Sequence, residues 1–355
     1  MAQIADILDD LEKQFQAQHT EFDGLTIRQK ALAVVTFLRS RNLVGISNEA
    51  EYRDMQNNFI GIALQDPKHP SLPLISCVIF CSLMTRLDLD AHCCGMPGHV
   101  YAMVLAPPGQ TLDRQPSQPG STRHIMYLDP FTHNDEVPTD ALRRILDEWG
   151  VHRIDQDDIL LNPQTTSSVV QRTAKNILST ITAVRTTVGI TNQMPSLELR
   201  PGGSNNDIEH SFYAALWASF MLITPDPWHQ RQRRQFIPLL IDKFQSHFPA
   251  DISLIEKYIC PIFETDPRDE RSFSEVIRAV KAADQTAKQV HRRTGVGVKG
   301  GCKYRVGQVF RHRRYNYTGV IIGWDPECSM DSDWIAHNRV DSLPGGRHQG
   351  FYHAL

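Results

Sequence analysis

The sequence predicts an α+β protein, and three observations support that class. Apolar residues such as Ile7, Leu8 and Leu11 recur at the spacing of an amphipathic helix. Two short apolar segments, 99–105 and 124–128, are typical of strands. Helical patterns then fill most of the chain up to residue 290, and β-branched segments follow them. Helices and strands in separate blocks of the chain indicate the α+β class.

The elements follow one another between recognisable breakers. The predicted helices lie at 5–41 (two helices), 74–87, 139–149, 168–185, 208–223, 231–248 and 273–290. Residues 106–122 are rich in Pro, Gly, Gln and Ser, so we expect a flexible surface loop there, too polar to pack. The predicted domains are N-terminal helices (1–45), a core (46–150), a helical region (165–290), a linker (291–302) and a small C-terminal domain (303–355).

Composition limits the class of protein. The chain has 355 residues, 41% of them hydrophobic, which is enough to bury two or three cores. No apolar run reaches the roughly 18 residues that span a bilayer, and the acidic, helical N-terminus does not have the pattern of a signal peptide. The seven cysteines show neither disulfide-framework nor zinc-finger spacing. The sequence therefore predicts a nuclear or cytoplasmic protein with reduced thiols, no cofactor, no metal ion and no membrane partner.

Charge is distributed unevenly along the chain. Residues 288–355 hold 11 Lys or Arg and 5 Asp or Glu, a net charge of +6, so the remainder is −9 in a chain of net −3. A basic segment attached to an acidic body is typical of proteins that bind polyanions, because each cation that meets a phosphate releases a counterion. The alternative is a solvated charged surface with no ligand.

Four segments near the C-terminus form a specific pattern: Val306-Gly307-Gln308-Val309, a basic turn at 311–315, a β-branched strand at 319–324, and Asp325-Pro326. They resemble the YccV-like family, also called HspQ-like, which is named for a bacterial hemimethylated-DNA-binding protein. The resemblance implies a small SH3-like β-barrel that binds DNA, and we expect it to be truncated because the family continues beyond a third strand. The implied phosphate contacts are Lys303, Arg305, Arg311, His312, Arg313 and Arg314.

A second pattern lies in the first half of the chain and includes Asn57-Asn58-Phe59, Pro97-Gly98-His99 and Asp129-Pro130-Phe131. It resembles the SirB-type transglutaminase-like core, which has a papain-like fold. Active members of that family have a nucleophilic Cys at the start of a long helix, a His base on the next strand and an Asp that orients the His. The resemblance places His99 and Asp129 in the last two roles.

The residue that matches the family nucleophile is Pro73, which carries no thiol. Proline is compatible with the first turn of a helix, so the shape can persist without the reactive group. The nearest thiol, Cys77, lies about 6 Å further along the helix axis and in apolar surroundings. We therefore predict a degenerate, non-catalytic core in which His99 and Asp129 form a structural pair, with Cys77 as the alternative nucleophile.

Three further interpretations remain open at this point. A metal ion could be held by a cluster drawn from Cys77, Cys81, His92, Cys93, Cys94 and His99, although the spacing matches no common zinc pattern. The helical region could form a tetratricopeptide-like groove for a peptide, or it could only cover the core. The two resemblances, in this order, also look like F-box-only proteins, although no F-box is recognisable here.

The predicted function is DNA binding of the hemimethylated-DNA-binding type by a protein with a non-catalytic transglutaminase-like core. The first alternative is a substrate-recognition adaptor of a cullin-type ubiquitin ligase, with ligase components or protein substrates as partners. The second alternative is a cysteine hydrolase or acyl transferase that uses Cys77, His99 and Asp129.

Overall fold

A computed structural model describes residues 2–186 (without 119 and 121), 205–222, 227–263, 267–285, 302–330 (without 314 and 315) and 332–355. The chain divides into two compact units, residues 1–280 and 281–355. In the described ranges, no helix has the length and apolar character needed to cross a membrane.

The first unit begins with helices around one central, nearly apolar helix. These are α1 (Ala2–Gln18), α2 (Ile27–Ser40), α3 (Ile60–Gln65) and the central α4 (Pro73–Arg86). A capping box between Thr26 and Gln29 starts α2, with each side chain bonded to the backbone of the other residue. Since α4 has apolar residues on every side, it is buried, and α1 and α2 share a hydrophobic core with it.

An antiparallel sheet packs beside α4. Its strands are β1 (Ala91–Cys93), β2 (Ala102–Leu105), β3 (Ile125–Leu128) and β4 (Glu136–Val137), in that order. One face of the sheet joins the core around α4. The other face packs on α5 (Thr139–Glu148) and α6 (Arg153–Leu161). Because both faces are covered, every residue of β2 is buried.

The connection 106–122 between β2 and β3 does not behave as the sequence predicts. Leu112 is only 3% exposed and belongs to the core around α4. Arg114 donates to the carbonyls of Asp23 (2.7 Å) and Gly24 (3.2 Å), and Asp113 accepts from Arg28. The prediction of an unpacked loop was wrong, because one apolar side chain and two charged ones anchor an otherwise polar segment to the turn before α2.

The rest of the first unit is helical. It contains α7 (Thr166–Thr186), α8 (Asn205–Met221), α9 (Pro227–Ser246), α10 (Ile252–Leu254), α11 (Cys260–Phe263) and α12 (Pro267–Gln285), with a π-helical turn at Ile255–Ile259. A second core holds these helices together around buried aromatic residues that include Phe220, Phe244 and Phe273. A peptide-binding role for this region remains a prediction.

The second unit contains a three-stranded antiparallel sheet of β5 (Val309–Arg311), β6 (Thr318–Asp325) and β7 (Phe351–Ala354), with α13 (Ser332–His337) before β7. Gly319 is required where β6 meets the end of the chain, because an added Cβ would lie 2.9 Å from the Leu355 carbonyl oxygen and the Phe310 ring. The α+β class is confirmed, whereas closure of this sheet into an SH3-like barrel remains a prediction.

Candidate functional site

The structure brings His99 and Asp129 together at one end of the two central strands of the first sheet. His99 lies three residues before β2, and Asp129 follows β3 directly. Since Ala102 pairs with Leu128, the flanking segments of the two strands approach each other. The His99 Nε2 atom lies 2.9 Å from Asp129 Oδ2. This is the separation that a base and the acid that orients it would need.

Asp129 is fixed from several sides. Its side chain is buried, and Oδ1 accepts from the backbone N–H groups of Phe131 (3.1 Å) and Thr132 (3.2 Å). Burial alone would raise the pKa of the Asp129 carboxyl, but the His99 imidazole and the Thr132 donors outweigh it and hold the pKa below the usual value. The His99 ring packs against Tyr101, with ring centroids 4.9 Å apart. These contacts fix the geometry of the pair.

Pro73, which the sequence matches to the family nucleophile, is the first residue of α4. Beside it lies a cavity of about 200 Å³, whose wall includes Pro73, Gly98, Val100 and Arg172. Among the described residues, that wall contains no cysteine. The start of α4 therefore borders a cavity to which no described thiol contributes.

Cys77, the alternative nucleophile, is fully buried within α4. Its Sγ donates to the Val100 carbonyl at 3.3 Å. Burial raises the pKa of the Cys77 thiol well above its ordinary value, and the negative charges nearby act in the same direction. A thiol with these properties is a poor nucleophile at neutral pH.

The described part of the chain gives no support to a metal centre. No three His, Cys, Asp or Glu side chains converge there in a way that could hold an ion. Cys77 and Cys94 donate instead to backbone carbonyls, those of Val100 and Ile159. Cys81 and Cys93 both line one surface cavity. The sequence did not predict this division into two thiols that bond to the backbone and two that share a cavity.

In the second unit, the basic residues form two separate groups. Arg311, His312 and Arg313 lie at the hairpin between β5 and β6. Arg311 Nε donates to Asn316 Oδ1 at 2.9 Å, and the His312 ring stacks on Tyr317 at 4.9 Å and 6°. Arg311 and Arg313 are exposed, and the described residues include no carboxylate paired with either. Arg314 lies outside the described residues.

Lys303 and Arg305 lie apart from the hairpin. The Tyr352 hydroxyl accepts from the backbone N–H group of Lys303 at 2.6 Å. Arg305 lies beside Gln308, whose N–H group donates to the Arg305 carbonyl (3.1 Å) and whose own carbonyl accepts from Ile321 in β6 (3.0 Å). Ile321 is three residues from the hairpin end of β6, which corresponds to about 10 Å along a strand. The described basic residues are therefore spread along the sheet.

Between the two groups lies an exposed face that the sequence did not reveal. Val309 pairs with Val320 and Arg311 with Thr318, so these four side chains point to one face of the hairpin. Val309 is 64% exposed and Ile322 on the same face is 50% exposed. Three consecutive apolar residues, Val320-Ile321-Ile322, are typical of a strand that is buried on both faces. In the structure Ile321 is buried, whereas Val320 and Ile322 are exposed.

The acidic side chains of the second unit are largely matched with other partners. Asp341 accepts from Arg347 through both carboxylate oxygens, at 2.9 and 2.6 Å. Glu327 lies 3.1 Å from His348, and Asp325 lies 2.9 Å from His353. The hairpin cations are therefore not neutralised by these carboxylates and remain available to an anion.

Comparison with known proteins assigns both regions. Residues 2–175 match the model of the transglutaminase-like superfamily, and residues 302–355 match the model described as hemimethylated DNA-binding protein YccV like. The chain is also similar to F-box only protein 21 of Mus musculus (52% identity over 52 residues) and of Homo sapiens (50% over 52 residues). Each match covers 15% of this chain and 8% of the relative. No solved structure matches the chain at a significant level.

Proposed function

Because the chain combines a transglutaminase-like region with a C-terminal YccV-like, hemimethylated DNA-binding domain, we propose that it binds duplex DNA and that its transglutaminase-like region is not catalytic. The observation that carries the first half of this proposal is the hairpin of the YccV-like domain. It presents exposed Arg311 and Arg313 without carboxylate partners in the described structure. Guanidinium groups in that state are suited to phosphate oxygens.

The spacing of the two cationic groups allows contact with more than one phosphate. About 10 Å separates the hairpin end of β6 from Ile321, near which Arg305 lies, and a DNA strand carries one phosphate per roughly 3.4 Å of helix axis. Arg305 and the hairpin could therefore meet phosphates about three positions apart. The apolar face between them, with Val309 and Ile322, would then lie against the groove or the sugars. This arrangement supports positioning on DNA, and no described residue is assigned to a methylated base.

The non-catalytic role of the first region is supported by its missing thiol. Pro73 stands at the helix start, where the nucleophile would be. Cys77 is buried, its thiol donates a hydrogen bond to the Val100 carbonyl, and burial raises its pKa. His99 and Asp129 then have no acidic thiol to activate, and we assign them a structural role. A thiol-reactive probe at neutral pH should spare Cys77 in the folded chain. Rapid labelling of Cys77 would revive the cysteine hydrolase or acyl transferase alternative.

The experiment that tests DNA binding measures the affinity of the whole chain for one duplex in unmethylated, hemimethylated and fully methylated form, at low and moderate salt. Preference for the hemimethylated duplex is the expected result. Equal affinity for the three forms with a steep salt dependence would reduce the proposal to backbone binding. No binding by the folded chain would overturn it.

A second candidate function is an adaptor that presents proteins to a cullin-type ubiquitin ligase. The observations that favour it are the similarity to F-box only protein 21 and the exposed Val309 and Ile322, because apolar residues on a sheet face are suited to a protein partner. Binding to a protein through this face would survive moderate salt and would be lost in Ile322→Asp. Binding to DNA would instead weaken steeply with salt.

A further inference from the structure

Two thiols face each other between α4 and the first strand of the sheet. Cys81 lies on α4 and Cys93 ends β1, the strand that packs beside α4 in the same hydrophobic core. Both line a surface cavity of about 210 Å³ together with Val78, Ala91 and other residues. We propose that Cys81 and Cys93 are a redox-active dithiol, which closes to an intramolecular disulfide when a hydroperoxide enters this cavity.

The neighbouring thiols are held in a different way. Cys77 donates to the Val100 carbonyl (3.3 Å) and Cys94 donates to the Ile159 carbonyl (3.5 Å). Neither lines the cavity shared by Cys81 and Cys93, as far as the described residues define its wall. Burial raises the pKa of Cys94 to about 11 and that of Cys77 well above its ordinary value. These two thiols therefore serve as internal controls.

Cys93 is the thiol that would attack first. Its interaction with Cys81 lowers the pKa of Cys93 most strongly, burial opposes this effect, and the positive charge of Arg172 lowers it further. The same interaction and burial raise the pKa of Cys81. Of the two thiols, Cys93 therefore has the lower pKa, and we assign it the first attack on the oxidant.

Access is sufficient for a small oxidant. Cys81 is 9% exposed and Cys93 is 6% exposed, and both belong to the core around α4, but both also reach the wall of a cavity that opens to the surface. A volume of about 210 Å³ exceeds the roughly 30 Å³ that one water molecule occupies in the liquid. Hydrogen peroxide, slightly larger than water, fits this space, whereas a folded thiol oxidoreductase does not.

The chemistry balances without any bound group. The Cys93 thiolate attacks one oxygen of the peroxide, the O–O bond breaks, and Cys93 becomes a sulfenic acid while hydroxide leaves and is protonated to water. The Cys81 sulfur then attacks the Cys93 sulfur, the S–O bond breaks and a second water leaves. Two thiols have been oxidised by two electrons, and one hydroperoxide has been reduced. A small dithiol that can enter the cavity reduces the disulfide by thiol–disulfide exchange and is itself oxidised to a cyclic disulfide.

The test treats the reduced, full-length chain with hydrogen peroxide, blocks the remaining thiols with N-ethylmaleimide and maps peptides by mass. We expect a Cys81–Cys93 cross-linked peptide, two hydrogen atoms lighter than the sum of its parts and reversed by a reductant, while Cys77 and Cys94 remain alkylatable after unfolding. A disulfide that involves Cys94, or unmodified Cys81 and Cys93 at peroxide concentrations that oxidise a free thiol, would overturn the proposal.

Variants distinguish the thiol that attacks the peroxide from the thiol that closes the disulfide. Cys81→Ser, which keeps a hydrogen-bond donor beside Cys93, should leave Cys93 as a sulfenic acid that dimedone captures, and Cys93→Ala should leave Cys81 unmodified. Cys94→Ala, the adjacent residue, is the matched control and should keep the cross-link. If Cys81→Ser folds, as judged by circular dichroism, and shows no dimedone adduct on Cys93, then Cys93 is not the attacking thiol. The wild-type peptide map tests the proposal independently of how any variant folds.

Discussion

In the transglutaminase-like region the carboxylate of Asp129 is buried beside the partly exposed His99, whereas the described cations of the YccV-like hairpin are exposed and have no carboxylate partner in the described structure. Asp129 accepts from two backbone N–H groups and lies 2.9 Å from His99. Among the described residues, Arg311 donates to Asn316. A buried, satisfied group stabilises a fold, and an exposed cation without a carboxylate can meet a ligand. The two regions therefore hold their polar side chains in different states.

The largest effect should come from removing the buried carboxylate. Asp129→Ala leaves the Phe131 N–H group without its acceptor, leaves the Thr132 N–H group only the carbonyl of residue 129 (3.2 Å), and removes the partner of His99. We therefore expect a loss of about 2–4 kcal/mol in the free energy of unfolding. Urea unfolding would measure it. Asp113→Ala, which removes an exposed partner of Arg28, is the matched control and should cost less than about 1 kcal/mol. Equal losses would contradict a structural role for the His99–Asp129 pair.

The second-largest effect should come from placing a thiol at the start of α4, where the sequence match to the family expects a nucleophilic cysteine. Pro73→Cys places a thiol at a helix N-terminus beside the cavity that Gly98 and Val100 line. Such thiols have pKa values of about 7 or less, so at neutral pH the variant should react with iodoacetamide roughly 50-fold faster than buried Cys77. Peptide mapping over time would measure both rates. Pro73→Ser should show no new labelling, and equal slow labelling in Pro73→Cys would mean that the site no longer activates a thiol.

How far the sequence predicts these two regions depends on what fixes each residue. Pro73 was predictable at the start of a helix because a long apolar helical pattern follows it, and the His99–Asp129 pair was predictable because the family resemblance placed the two residues on adjacent strands. The packing of Leu112 was not, since one apolar residue in a polar loop gives no periodic signal. The pairing of Cys81 with Cys93 depends on how α4 packs on β1, which the spacing of cysteines along the chain does not encode.

The third prediction concerns the hairpin. Arg311→Ala combined with Arg313→Ala should weaken duplex binding roughly tenfold or more at about 0.1 M salt, and should reduce the slope of log K against log salt by about 1.8, because two phosphate contacts are lost. Arg347→Ala is the control, since Arg347 is engaged by Asp341 and lies outside the hairpin. An unchanged slope in the double variant would remove the hairpin from the DNA interface.

The smallest expected effect is on the pH dependence of the unfolding free energy. It compares Asp129 and Asp341, one carboxylate in each region, whose pKa values are both lowered. Burial opposes the shift at Asp129, but His99 and Thr132 outweigh it, whereas the shift at exposed Asp341 comes first from Arg347. A lowered pKa contributes stability that is present above the unfolded pKa of about 4 and is lost as pH falls through the folded value. For Asp129 this stability should therefore decline below about pH 4.

Asp129→Asn should remove that acid-dependent part of the unfolding free energy, by roughly 1 kcal/mol between pH 5 and pH 3. Asp341→Asn should leave the same pH profile unchanged at about 0.5 M salt, because solvent and ions screen a fully exposed pair. Urea unfolding at several pH values would measure both profiles. If Asp341 contributed as much as Asp129 at high salt, the contrast between a buried structural carboxylate and an exposed, replaceable one would fail.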